Sequence, residues 1–153
     1  MKKLNKYAQS SSLMKISLEY GMEKFQFNLF DELQINESII ANEIKQQPNS
    51  YAFLSMLQTN IMALVQKAKV SEEKMYYKLY DNFKAKTNPQ TNRPNSDDVA
   101  KAKATKHKMY VAARNKTINL SKQLSTISNC VKAFEQRSSL IQTLSANRRK
   151  ESY

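Results

Sequence analysis

The chain of 153 residues holds one glycine, one cysteine, one histidine, three prolines and no tryptophan, and each shortage closes off a class of function. A single glycine, Gly21, leaves no Gly-rich loop to cradle phosphates and neither dinucleotide fingerprint, which removes nucleotide hydrolysis. Tight hairpins and barrel corners also lean on glycine, so its scarcity argues against β architecture. His107 has no second imidazole or cysteine at metal-ligand spacing, which leaves zinc binding and Cys-His or Ser-His-Asp chemistry without candidates. Between Lys106 and Lys108 it reads as a surface residue. Cys130 has no partner for an internal disulfide, which fits a reducing cytoplasm, and its place beside Val131 marks a buried packing thiol. The adjacent carboxylates Asp31-Glu32 and Glu72-Glu73 point apart on a helix and make no acid and base pair. No catalytic residue, metal site or cofactor is expected, and the chain does not read as an enzyme.

Long apolar runs are missing too. The best, Ile61 to Val65, is five residues, against the ~18 that a membrane span needs. The start MKKLNKYAQSSS has positive charge but no apolar stretch behind it, so export is not expected. A helix lying on a membrane surface is disfavoured, because the apolar seam lacks Trp and is interspersed with Ser and Thr.

Negative charge is the last scarcity. Thirteen Asp and Glu stand against 25 Lys and Arg, a formal charge of +12, and polyanions are the expected partners. Nine of the basic side chains fall between Lys84 and Lys116, opposed only by Asp97 and Asp98. Alanines between Lys101, Lys103, Lys106 and Lys108 let a backbone come close, and Tyr76, Tyr77, Tyr80, Phe83 and Tyr110 offer faces for stacked bases. A basic groove with stacking rings is how single strands are held without reading sequence. A solvated helix face with tyrosines capping the core is the plainer alternative.

What the chain has in quantity is helical periodicity. After Pro48-Asn49-Ser50, residues Tyr51 to Lys86 contain no Gly or Pro, and Leu54, Leu57, Ile61, Leu64 and Ala68 keep a three-then-four spacing, the stripe being re-phased beyond Ala68 through Met75, Leu79 and Phe83. Thr87 to Ser96, with Pro89 and Pro94, is a turn. Ser96 is the expected N-cap of a second helix running without interruption to about Asn147, its first turn carrying Asp97 and Asp98. Along it Met109, Ala113, Thr117, Leu120, Leu124, Ile127, Val131, Phe134, Ser138 and Ile141 form a seam. Upstream, residues 1–12 read as a flexible basic arm with Lys2, Lys3 and Lys6. Ser12 to Met22 reads as weakly helical. Lys24 to Leu29 alternates as a short edge strand or is a loop whose Phe25, Phe27 and Phe30 plug the core. Glu37 to Gln46 is a short helix with Asn36 as N-cap and Pro48 past its end.

The expected fold is therefore all-α and a single domain. Residues 1–50 form an N-terminal arm and short buttressing helices, and residues 51–153 a long antiparallel helical hairpin with coiled-coil-like packing, basic around its turn. Leu120, Leu124, Ile127, Val131, Phe134 and Ile141 are the expected oligomerisation residues, since two helices leave Leu140 and Leu144 uncovered at the C-terminal end. The expected DNA-binding set is Lys74, Lys78, Tyr80, Lys84, Lys86, Lys101, Lys103, Lys106, Lys108 and Arg114.

The order of features has a likeness. A short acidic helix (LQINESIIANEIKQ), a long helix ending in aromatics (YYKLYDNFKAK) and a last helix with RSSLIQTLSANRRKE resemble the UvsY-like phage recombination mediators over about Leu33 to Glu151. Arg137 followed by Ile141, and Tyr80 with Phe83, match that family's last-helix and aromatic positions. Its glycine after the aromatic pair is replaced by Lys84-Ala85-Lys86, and its early acidic residue in the last helix by Arg114-Asn115. The resemblance implies a helical homo-oligomer, cytoplasmic in a host cell, that binds single-stranded DNA and helps a RecA-like recombinase replace single-strand-binding protein. The family's DNA contacts, just before the aromatic pair, correspond to Lys74 and Lys78 at a different spacing. The competing reading is a structural or adaptor protein of a phage particle or nucleoid.

Overall fold

The computed structural model describes residues 8–89 and 91–151, and 78% of these residues are helical. A 3-10 turn at Ser12–Met14 leads into β1 (Lys15–Tyr20) and β2 (Glu23–Asn28), followed by the short α1 (Leu29–Glu32) and a second 3-10 turn at Glu37–Ile39. Then come α2 (Ile40–Lys84), the two-residue strands β3 (Thr87–Asn88) and β4 (Arg93–Pro94), α3 (Asp97–Lys106) and α4 (Lys108–Glu151). The chain divides into two compact units: one holds the residues up to Asn60 with those from Gln123 on, the other Ile61–Lys122. Helices α2 and α4 each run through both.

The all-α expectation is corrected, because the chain carries two small antiparallel sheets. In the first, Ile16 pairs with Phe27 and Leu18 with Phe25, so one face of the hairpin is apolar. Ile16 and Leu18 are buried, the two Phe rings are half-buried, and Phe25 meets Phe53 of α2 edge to face at 5.4 Å. Lys24 to Leu29 thus contains the strand rather than the loop, and Ser12 to Met22 is a 3-10 turn and strand rather than helix. The only glycine is what permits it. Gly21 takes φ +64 at the first position of a two-residue turn, a conformation costly for other residues and suited to the right-handed twist of a hairpin.

Pro48 does not end a helix. Glu37–Ile39 is a 3-10 turn capped by Asn36, whose side chain accepts from the Ser38 N–H, and α2 then continues through Pro48. The ring removes the donor that an α-helix would offer the Ile44 carbonyl, but both residues sit at exposed positions, where water can serve instead. Packing on either side carries the helix across. Leu54 and Leu57 are buried, and Gln47, next to the proline, is locked by its amide to the Phe134 carbonyl of α4 at 2.7 Å.

In this first unit α2 and α4 run antiparallel, since Gln47 meets Phe134, Gln58 meets Ser128 at 2.9 Å, and Glu43 meets Arg137. Arg137 is 8% exposed. One guanidinium nitrogen donates to Gln47 Oε1, and the other to Glu43 at 2.5 Å and to the Gln34 carbonyl at 3.0 Å. The Arg137 hydrogen bond, working against burial, holds the Glu43 carboxyl below its ordinary range, and Glu43 also accepts the Asn36 N–H. Ile127, Val131, Phe134 and Ile141 are buried here and Leu124 is half-buried, as Leu120 is in the second unit. The residues expected at an oligomer seam lie in the chain's own packing. Cys130 is fully buried, which raises its thiol pKa.

In the second unit Ile61, Val65, Ala68 and Leu79 are the buried stripe of α2. The last carbonyls of α2 are met by the turn. Asn95, 3% exposed, donates its amide to Phe83 O at 2.8 Å and its backbone N–H to Lys86 O at 3.0 Å. Strand β4 pairs with β3 through Arg93 and Pro94. Ser96 caps α3 as expected, accepting from the Val99 N–H.

The uninterrupted second helix is corrected as well. His107 has extended backbone (φ −69, ψ 134) and separates α3 from α4. It serves both ends: its N–H bonds Ala104 O at 3.2 Å, its carbonyl accepts the Val111 N–H, and its Nδ1 accepts the Met109 N–H at 3.2 Å. A side-chain acceptor two residues before a free N–H is what a helix start needs, so a break forms without Gly or Pro. The ring is half-buried against Phe83, 5.9 Å between centroids, rather than on the surface.

The Lys2, Lys3 and Lys6 arm lies outside the described residues.

Candidate nucleic-acid interface

The charge is concentrated in one unit. Ile61–Lys122 carries fourteen Lys and Arg against five Asp and Glu, so nine of the twelve net positive charges sit in well under half of the chain. How they are arranged depends on the helices, because a turn of ~100° per residue sends successive lysines to different flanks.

Lys67, Lys74 and Lys78 are seven and four residues apart, which keeps them on one flank of α2. With Val70, Ser71 and Met75 they line a shallow depression of about 360 Å³. Lys67 and Ser71 are shared with a second, deeper cleft of about 350 Å³ that lies between α2 and α4, where Lys116 joins from α4. Leu64, Ala68, Ala113 and Leu120 complete its lining. The two neighbouring depressions, taken together as a groove, are lined by four lysines and no carboxylate. None of the four ammonium groups has an ion-pair partner among the described residues. Asp81, three residues past Lys78, stands at the far end.

The opposite flank of α2 is different in kind. Tyr76 stacks on Tyr80 (6.3 Å, 20°), meets Tyr77 edge to face at 5.4 Å and leans on Tyr110 of α4 at 5.8 Å. Beside this cluster lie Lys69, Glu72 and Glu73. The Tyr80 hydroxyl donates to Asp97 at 3.2 Å, and the same carboxylate oxygen accepts from Lys84. Partial burial, then the Asp97 carboxylate, holds the Tyr80 phenol above its ordinary range. Lys84 is raised by its bond to Asp97, and Asp97 is lowered by Lys84 and then by Tyr80. Two members of the expected DNA-binding set are thus tied to an acidic partner.

The structure divides the rest of that set. Lys74 and Lys78 line the groove. Lys86 lies over the Phe83 ring at 5.4 Å. On α3, where Ala100 and Ala104 face inward, Lys101 lies close enough to Tyr80 and Asp97 to bias both, and the helical turn sends Lys103 and Lys106 elsewhere. Lys108 opens α4, and Arg114 is exposed on a side that two residues of helix separate from Lys116. These lysines fan outward, whereas Lys67, Lys74, Lys78 and Lys116 converge. Lys67 and Lys116 were missing from the expected set. The seven-and-four spacing of Lys67, Lys74 and Lys78 was a signal for the first; nothing in the sequence signals Lys116, whose place depends on the register between α2 and α4.

Among the described residues no group of three or more His, Cys, Asp and Glu could hold a metal ion, and no helix is long and apolar enough to cross a membrane. No family model, curated protein or solved structure matches the chain.

Proposed function

We propose that this chain is a single-stranded DNA-binding recombination mediator that works without catalysis in the cytoplasm, as a homo-oligomer that helps load a RecA-like recombinase onto DNA covered by single-strand-binding protein. The observation that carries the DNA-binding part is the four-lysine groove without a carboxylate. Phosphates entering it displace water and counterions without displacing a protein anion, so the full counterion release contributes to affinity. The mediator role rests on the resemblance of the chain to the UvsY-like proteins, to which the buried Arg137 and Ile141 belong.

The test is a competition between single-stranded and duplex DNA of equal length at two salt concentrations. Single-strand preference is expected, with affinity falling steeply as salt rises. Equal or tighter binding of duplex removes the mediator reading and favours the structural or adaptor role on a phage particle or nucleoid.

A further inference from the structure

We infer that the DNA-binding track is the flank of α2 bearing Lys67, Lys74 and Lys78, continued by Lys116 of α4, and that it holds the phosphodiester backbone of a single strand without stacking its bases. The inference rests on the single-strand reading above and assigns its site and its ligand chemistry. Three observations carry it. From Lys67 to Lys78 the helix rises ~17 Å, at 1.5 Å per residue, a length that a stacked strand covers with ~5 phosphates at ~3.4 Å each. The lining side chains of this groove are lysine, serine and aliphatic, with no aromatic ring among them. The tyrosines sit on the other flank, packed on one another beside Glu72 and Glu73, and Tyr80 is bonded to Asp97. A strand stacked on those rings would run past carboxylates; one in the lysine groove meets none in its lining.

The recognised class is therefore a linear chain of phosphodiesters, with the bases turned to solvent or to a protein that takes the strand over. That suits a strand that must be handed on, since its bases stay free to pair.

The experiment compares three full-length chains: wild type, Lys67→Gln/Lys74→Gln/Lys78→Gln/Lys116→Gln, and Lys101→Gln/Lys103→Gln/Lys106→Gln/Lys108→Gln. Binding of a single-stranded oligonucleotide and of an abasic oligonucleotide of the same length is measured across a salt series, with a melting curve for each chain as a control for folding. The groove variant is expected to keep its melting temperature, to lose on the order of 100-fold in affinity at low salt, and to flatten its salt slope by about 2 to 3, at ~0.7 per phosphate. The tip variant is expected to retain a larger share of both. Wild type is expected to bind the abasic strand within about threefold of the normal one. Loss in the tip variant with affinity kept in the groove variant overturns the assignment of the track and leaves the DNA-binding reading standing. An abasic strand that binds at least ~5-fold more weakly, the least that one stacked base contributes, overturns the backbone-only mode. Wild type that binds neither oligonucleotide overturns the functional reading and the track with it.

Discussion

At the scale of single residues, Arg137 and Tyr80 show how burial decides a role. An arginine in a run of Ser, Gln and Leu looks like a surface residue, yet Arg137 is enclosed and shared among Glu43, Gln47 and the Gln34 carbonyl. Removing one partner of a buried ion pair leaves the other charge uncompensated, so Glu43→Gln is expected to cost ~3 to 5 kcal/mol of unfolding free energy, read from urea titration. The sign of its pH dependence follows from the Glu43 pKa, which is lowered on folding. A depressed folded value stabilises the fold above the unfolded value of ~4.3, and that stabilisation is lost as pH falls through the folded value. Wild type should therefore lose stability below about pH 4 along a limb that Glu43→Gln flattens; identical acid limbs would remove the ion pair from the account. Tyr80→Ala separates packing from base stacking. With its ring stacked on Tyr76 and its hydroxyl on Asp97, the variant is expected to melt lower with DNA affinity within about twofold of wild type.

At the scale of elements, Pro48, Gly21 and His107 each decide where an element runs or stops. Pro48 lies within a continuous α2, where proline is ~3 kcal/mol less favourable than alanine, so Pro48→Ala is expected to stabilise the chain by up to about that amount in thermal and urea unfolding. No gain would mean that the helix does not run through residue 48. Gly21 is the opposite case. A Cβ there meets nothing within 4 Å, so the whole cost of Gly21→Ala is the positive φ, about 1 to 2 kcal/mol, and Gly21→Asn should recover part of it. His107 breaks a helix by capping the next one with its ring nitrogen, a local bond made while its ring packs beside Phe83.

At the scale of the molecule, helix register decides what the charge does. Composition assigns nine net charges to Ile61–Lys122, but only the angular placement of each lysine separates a converging groove from a fan around α3. Which apolar residues are left for a second copy is decided by burial in the same way. Ile127, Val131, Phe134 and Ile141 are occupied within the chain, whereas Leu140 is 58% exposed on the same helix. In a homo-oligomer, Leu140→Glu is therefore expected to shift sedimentation toward smaller species with little change in melting temperature, and Leu124→Lys to lower the melting temperature itself. A Leu140→Glu chain that sediments like wild type would take Leu140 out of the interface.

The sequence by itself determined the helical majority, most of the buried positions of α2 and α4, the caps at Asn36 and Ser96, the burial of Cys130 and the excess of positive charge. Each follows from local spacing or from composition, and both survive folding unchanged. The hairpin at Gly21 was legible in part, since alternation from Lys24 to Leu29 was visible, but its partner strand was not. KISLEY carries an apolar pattern that helix and strand accept equally, and only pairing with EKFQFN and packing on Phe53 settles it. The passage through Pro48, the enclosure of Arg137 and the meeting of Lys67 with Lys116 were decided by tertiary structure alone. Each depends on a side chain from a distant stretch arriving within a few ångströms, and the register that brings it there is a sum over the whole helix contact that no local pattern encodes.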